Sequence, residues 1–284
     1  MRDCPLPARE GISPQRVMLS GVVPDCPEYV AGRAGDSPFA FGEAIPAGTV
    51  LERPVLAWFH PVVPPEPTIP FQEVIVDELP GLVVVAKPGF VPSTSNGRIQ
   101  RETVQTRLRI RLRNDAIVPL HRLDRMTSGL LACSSDPATR GFYQQQFAQR
   151  TVRKRYHALL TRPLAGFAEW QTVSVPMRKQ PGKRAVEVGS GTMTVTRVRT
   201  VGGRLVELEP QTGFTHQLRA LCAFLGAPIE GDDTYPIAGK LQLYNYSEQL
   251  KLCASQLELG IYPNYEPKVW TMPQLADPGF WQVG

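Results

Sequence analysis

The chain has 284 residues, 42% hydrophobic and 20% charged, and its 31 Lys and Arg against 26 Asp and Glu give a formal net charge of +5. That is an ordinary globular composition, long enough for one sizeable core with a smaller attachment, and its basic balance suits a polyanionic partner. Five cysteines, at 4, 26, 133, 222 and 253, form no CxxC pair or metal-ligand spacing, the histidines are dispersed, and no run approaches a membrane span; a soluble protein without a metal site is expected.

Residues 1–70 are rich in proline and glycine and poor in helical periodicity. They are read as an amino-terminal arm or small extension. Short strands are possible at 48–51 and 55–59, and the prolines at 61, 64, 65, 67 and 70 form a stiff connector. The main domain is then expected over 71–284. Val74–Asp77 and Leu82–Ala86 flank Leu79-Pro80-Gly81 and read as a hairpin. Residues 98–113 read as a helix carrying six arginines, either a solvated face or a phosphate-contacting stripe.

Residues 120–136, LHRLDRMTSGLLACSSD, place one carboxylate, Asp124, among His121, Arg122 and Arg125. An apolar run follows, and Asp136-Pro137 closes it as a helix start. The carboxylate is expected in a turn before a buried strand, among cations that favour its charged form. Taken alone, such an aspartate reads as an ion-paired surface group. It does not fit the kinase H-R-D loop, because Leu123 intervenes, nor an aspartic protease, because no second copy of the segment exists.

Residues 137–149 suit a helix with Phe142, Tyr143 and Phe147 inward, and 152–160 alternate as a strand with Tyr156 inward. A basic hairpin tip surrounds Pro181-Gly182, and 192–200 alternates strictly, with Arg197 and Arg199 on one side. Gly202-Gly203 turns the chain into an antiparallel return over 204–209. Residues 213–225 read as a helix with Leu218, Leu221, Cys222 and Leu225 as its core stripe and His216 and Arg219 beside it. Glu230, Asp232 and Asp233 read as a solvated acidic loop. Leucines 241, 243, 250, 252, 257 and 259 are strand-like positions that finish a core.

Three of these stretches, in order, resemble the RluA-type family of RNA pseudouridine synthases. The first is HRLDRMTSGLL. The second places Phe147, Lys154 or Arg155, Tyr156 and Ala158. The third runs from Thr212 to Arg219 and on through Gly226-Ala227-Pro228-Ile229-Glu230-Gly231-Asp232. The resemblance covers about residues 74–260, without a basic amino-terminal S4-like domain. Two departures stand out: the family's Lys-Pro-x-Gly is Lys87-Pro88-Gly89-Phe90 here, and Phe214 replaces a usual arginine.

The resemblance implies an α+β fold, a long mixed but mainly antiparallel bent sheet with flanking helices and a central RNA-binding cleft. It implies conversion of uridine to pseudouridine in ribosomal or transfer RNA, with no cofactor and no metal. Asp124 would be the catalyst. Arg122 would fill the gap left by a flipped base, Tyr156 would lie against the uracil, and Arg219 would pair with Asp124. The alternative is a catalytically degenerate RNA-binding protein. The scattered, odd cysteine set suits a reducing compartment and no charged-then-apolar leader is evident, so a monomer in the cytoplasm, away from membranes, is expected.

Overall fold

The computed structural model describes residues 4–33, 35–95, 97–235 and 242–272. Its chain forms two compact units. One comprises Met1–Pro67 and Thr94–Ile117, the other Thr68–Ser93 and the chain from Val118 onward. The arginine-rich segment thus groups with the amino-terminal residues.

In the first unit, β1 (Gln15–Val22), β2 (Tyr29–Ala31), β3 (Ala44–Ile45) and β4 (Val50–Phe59) form an antiparallel sheet in the order β1-β4-β2-β3. Leu19, Tyr29, Ile45, Val55 and Ala57 give it a core of its own, where the sequence suggested an arm or small extension. The helix α1 is shorter than its arginine pattern suggested, Val104–Arg111, because Thr103 caps it by accepting from the Thr106 amide. Before it, the Glu66 carboxylate accepts from the backbone amides of Gln100, Arg101 and Glu102 at 2.6, 3.0 and 3.1 Å. Arg109 is no phosphate ligand. It is buried, with its guanidinium donating to Ile117 O, Gly11 O and Ser13 Oγ.

The second unit is organised on strands. In chain order they are β5 (Val74–Leu79), β6 (Leu82–Lys87), β7 (Val118–Pro119), β8 (Ser128–Ser134), β9 (Arg153–Leu159), β10 (Gln171–Lys179), β11 (Val186–Val188), β12 (Thr192–Gly202), β13 (Leu205–Pro210), β14 (Leu252–Ile261) and β15 (Glu266–Thr271). They form one sheet in the order β11-β10-β12-β13-β9-β14-β8-β6-β5, with β15 on β14 and β7 on β8. Every pairing is antiparallel except β14 with β8. The α+β class and mainly antiparallel sheet are therefore as the resemblance implied. Leu82, Val84, Leu130, Ala132, Tyr143, Cys253, Leu257 and Trp270 form the core beneath α2 (Pro137–Ala148). Asp136 caps that helix by accepting from the Ala138 amide at 2.8 Å.

Two glycines fix the chain around the centre of the sheet. Gly129 has φ of 109°, and a Cβ there would lie 2.3 Å from Ala254 O of the parallel strand. Gly231 has φ of 73°, and its Cβ would meet Gln249 O at 2.2 Å. Only glycine allows both approaches. Leu250, Leu252, Leu257 and Leu259 are buried as the sequence suggested, whereas Leu243 lies in a turn and Leu241 lies outside the described residues.

Candidate active site

The apolar run of β8 explains why Asp124 stands where it does. Leu123 and Met126 flank the carboxylate and turn inward, each 5% exposed. The Thr127 amide closes the turn on Asp124 O at 3.1 Å. The backbone is pinned on both sides of the aspartate. Ser93 Oγ accepts from the Leu123 amide and donates to the Leu123 carbonyl, at 3.1 and 3.0 Å. Lys87 Nζ donates to Arg125 O at 3.2 Å, and also to Pro88 O and Val91 O at 2.8 and 2.7 Å. Burial pulls the Lys87 ammonium down to about 7, and the nearby Asp124 charge opposes that fall. Three carbonyl acceptors for its three protons favour the charged form. The Lys87-Pro88-Gly89-Phe90 loop is therefore irregular in sequence but firmly anchored.

The cations near Asp124 are not its sequence neighbours. His121 is half-buried at the cleft wall, stacked on Phe147 at 5.0 Å, and its Nε2 accepts from the Ala132 amide at 3.1 Å. An acceptor nitrogen carries no proton, and burial holds the imidazole down to about 3. Arg125 turns away to Asp233 Oδ2 and Leu243 O, at 3.3 and 3.2 Å. Arg122 is exposed at the cleft wall. What faces Asp124 comes from a distant segment: Arg219 Nη1 at 3.6 Å and His216 Nε2 at 4.0 Å from Asp124 Oδ2.

That segment enters α3 (Gln217–Phe224) through His216, which sits at the helix N-cap with a left-handed backbone, φ 53°. The helix thus begins four residues later than the sequence pattern suggested. Gln217 is buried and welds the entry to the sheet. Its amide nitrogen donates to Val195 O and Thr196 Oγ1, and its Oε1 accepts from Thr212 Oγ1 and the Phe214 amide, all within 3.1 Å. Phe214 keeps this backbone bond, so the missing arginine leaves the entry geometry intact. His216 Nδ1 lies 3.3 Å from Tyr235 Oη, which itself accepts from the Val186 amide at 2.7 Å. Burial lowers the imidazole pKa, and a neutral His216 accepting at Nδ1 presents Nε2–H to Asp124.

Arg219 is 3% exposed and has a second set of partners. Its Nε and Nη2 donate to the two Asp232 oxygens at 2.8 and 2.6 Å, and Nη2 also reaches Asp233 Oδ1 at 2.7 Å. The guanidinium pKa is raised, because these carboxylates and Asp124 outweigh the desolvation that would lower it. Asp233 is held below the usual carboxylate range in spite of its burial, by the Thr234 hydroxyl and Arg219. The acidic loop is therefore no solvated turn. Asp232, with its side chain 1% exposed, was missed as a site residue although it closes the third motif.

Asp124, Arg122, Tyr156 and Arg219 all line one cleft of about 1350 Å³. Tyr156 comes from β9, between β13 and β14, and is 8% exposed. Burial and the Asp124 charge raise its phenol pKa. Among the described residues its hydroxyl takes no hydrogen-bond partner, so the ring is held by packing. Arg150, Arg153, Lys154 and Arg155 line the same cleft and give it a basic wall. Among the described residues no group of acidic, histidine or cysteine side chains could hold a metal ion, and no helix is long and apolar enough to cross a membrane.

The sequence profile of the RNA pseudouridylate synthase family matches residues 81–224, a span that holds Asp124, Tyr156 and Arg219. The chain belongs to this family. It is 28% identical over 212 residues to RNA pseudouridine synthase 7 of Arabidopsis thaliana, covering 68% of this chain and 52% of that protein. It is also 28% identical over 219 residues to the dual-specificity RNA pseudouridine synthase RluA of Vibrio vulnificus, covering 71% of this chain and 81% of that one. The solved structure of human RNA pseudouridylate synthase domain containing 1 matches with a TM-score of 0.57 and 27% identity, over 73% of this chain and 86% of that chain. Several curated relatives are longer: the chain spans about half of RNA pseudouridine synthase 7 and of the Vibrio cholerae ribosomal large subunit pseudouridine synthase C, 52% of each. Within the pseudouridylate synthase family match lie both pinning residues, Lys87 and Ser93, while Asp232 and Asp233 fall just beyond it.

Proposed function

We propose that this chain converts uridine in RNA to pseudouridine, with Asp124 as the catalytic carboxylate. The uracil is cut from its ribose, turned and rejoined through carbon 5. A carboxylate suits that chemistry because it can attack an electron-poor sugar carbon or take a proton. The observation that carries the reading is the meeting of Asp124, Arg219 and Tyr156 on one basic cleft within the family-matched span. Arg219, 3.6 Å from Asp124, balances the carboxylate's charge and fixes its direction.

A stacked base cannot reach Asp124, so the uridine is flipped out, at a cost of a few kcal/mol. Tyr156 receives the uracil on its face, and the exposed Arg122 fills the vacated stack. The basic wall of Arg150, Arg153 and Lys154 holds the backbone and makes affinity salt-dependent. The name of the similar Vibrio cholerae protein, a ribosomal large subunit pseudouridine synthase, favours ribosomal RNA as the substrate. The reading without catalysis finds no support in the loop at Lys87 or in Phe214, since neither disturbs the groups around Asp124. The test is release of tritium from RNA labelled at uracil carbon 5. Release by the purified protein, lost in Asp124→Asn, is expected; no release from any cellular RNA fraction would overturn the proposal.

A further inference from the structure

Outside the catalytic group, one cluster has a composition that a purely structural role does not require. Trp170, just before β10, lies under three guanidinium groups: Arg197 at 4.8 Å, Arg199 at 4.9 Å and Arg155 at 5.6 Å from the ring centre. The arginines come from β12 and β9 and are held by two glutamates of β13. Cross-strand pairing sets Arg197 opposite Glu209 and Arg199 opposite Glu207. Arg155 donates to Glu209 Oε1 through Nε and Nη2, at 3.0 and 2.7 Å. Arg197 Nη1 donates to Glu209 Oε2 at 2.8 Å, and Arg199 Nε to Glu207 Oε2 at 3.0 Å.

The layering gives this cluster its direction. The glutamate side chains are only 9% and 16% exposed, whereas those of the arginines are 34% to 42% exposed. The carboxylates therefore lie beneath and orient the guanidiniums, which remain accessible. His157 adds no charge at neutral pH, because burial lowers its pKa despite the neighbouring Glu207. Three cations over two anions leave a positive surface. Each guanidinium has five donors, more than these bonds use. An ion-pair ladder in a sheet needs no tryptophan, but a preoriented aromatic and arginine surface is what an unpaired base and its phosphate require. Arg155, Arg197 and Glu209 also line the cleft that holds Asp124, so the surface continues from the site.

We propose that Trp170 and Arg199 form a second RNA subsite, a stacking platform and phosphate contact for a single-stranded nucleotide flanking the target uridine. The direction rests on the reading of the cleft as the uridine site; the stacking itself does not. It is tested with the full chain, a fluorescein-labelled twelve-nucleotide oligouridylate and fluorescence anisotropy. Trp170→Leu should weaken binding roughly tenfold, within the range of one lost base–aromatic stack, and Trp170→Phe should restore most of it. Arg199→Gln should lessen the salt dependence by about 0.7 in the log–log slope. A three-nucleotide oligouridylate should bind wild type and variants alike. Equal twelve-nucleotide affinity and slope in wild type, Trp170→Leu and Arg199→Gln, with unchanged urea midpoints, would overturn the platform. Failure of the uridine reading shows separately, as absent tritium release by the wild-type protein.

Discussion

Arg219 is bound more closely to Asp232 than to Asp124: two hydrogen bonds of 2.8 and 2.6 Å against one approach of 3.6 Å. The planar fork of the guanidinium is thus occupied on its Nε edge by a carboxylate that is almost wholly buried. Only Nη1 is turned to Asp124. This division makes Asp232 the group that positions Arg219, while Asp124 keeps an exposed edge, with its side chain 33% accessible, toward the cleft.

Asp232→Asn removes the charge but keeps the shape. Breaking a buried ion pair costs about 3–5 kcal/mol, and the lower end is expected because Asp233 and Asp124 remain near Arg219. Turnover should fall by about 10²-fold, the scale of a small misplacement of a reacting group's partner. In urea unfolding, the double-mutant cycle of Arg219→Met with Asp232→Leu should give a larger coupling energy than the cycle with Asp124→Leu. The reverse order would refute the division of roles.

Asp124→Asn should act on chemistry and leave the fold alone. The carboxylate is one-third exposed and its nearest cation is 3.6 Å away, so the stability change should stay within about 1 kcal/mol. Turnover measured by tritium release should fall by at least about 10²–10⁴-fold. Multiple turnover near the wild-type rate would remove Asp124 from the mechanism.

Much of this arrangement was legible in the sequence. The motifs around Asp124, Tyr156 and Arg219 named residues that meet in one cleft, and alternation over 152–160 and 192–200 placed two of the strands. What periodicity could not carry was direction at the ends of elements. His121, Arg122 and Arg125 lie close in sequence yet turn to Phe147 and the Ala132 amide, to the solvent and to Asp233. Asp232 read as a solvated acid because its partner lies thirteen residues earlier on another element. The glycine before it, forced into close approach with Gln249, was the local sign of a buried turn. Likewise Arg109 looked like part of an exposed stripe, but Gly11, Ser13 and Ile117 accept from its guanidinium and leave it buried.

The departure from the family's Lys-Pro-x-Gly pattern has a measurable cost. Phe90 occupies the position of that glycine and has φ of 69°, a conformation that costs a bulky residue about 1–3 kcal/mol. Its ring is held by stacking on Phe71 and by an edge contact with Tyr246, both at 5.3 Å. Phe90→Ala keeps the strain and loses the packing, at about 3–5 kcal/mol. Phe90→Gly loses the same packing but relieves the strain. Glycine should therefore be about 1 kcal/mol more stable than alanine here, in urea unfolding, opposite to the ordinary order. Alanine more stable than glycine would show that position 90 is unstrained.

The last expectation concerns acid. His121 is half-buried, stacked on Phe147 and committed to accepting from the Ala132 amide. Its folded pKa is held down to about 3, against about 6.5 in an unfolded chain. Between those values the unfolded state binds a proton that the folded state refuses, so stability falls as pH falls. Below about 3 both states are protonated and the dependence ends. One such group contributes a slope of at most about 1.4 kcal/mol per pH unit. His157 and His216, whose pKa values burial also lowers, add in the same direction below pH 6.5. His121→Gln retains an acceptor for the Ala132 amide but cannot titrate. Urea unfolding from pH 6.5 to 4 should therefore show the variant's slope reduced by close to one proton. An unchanged slope would mean that His121 is protonated in the folded protein, and that its Nε2 does not accept from Ala132.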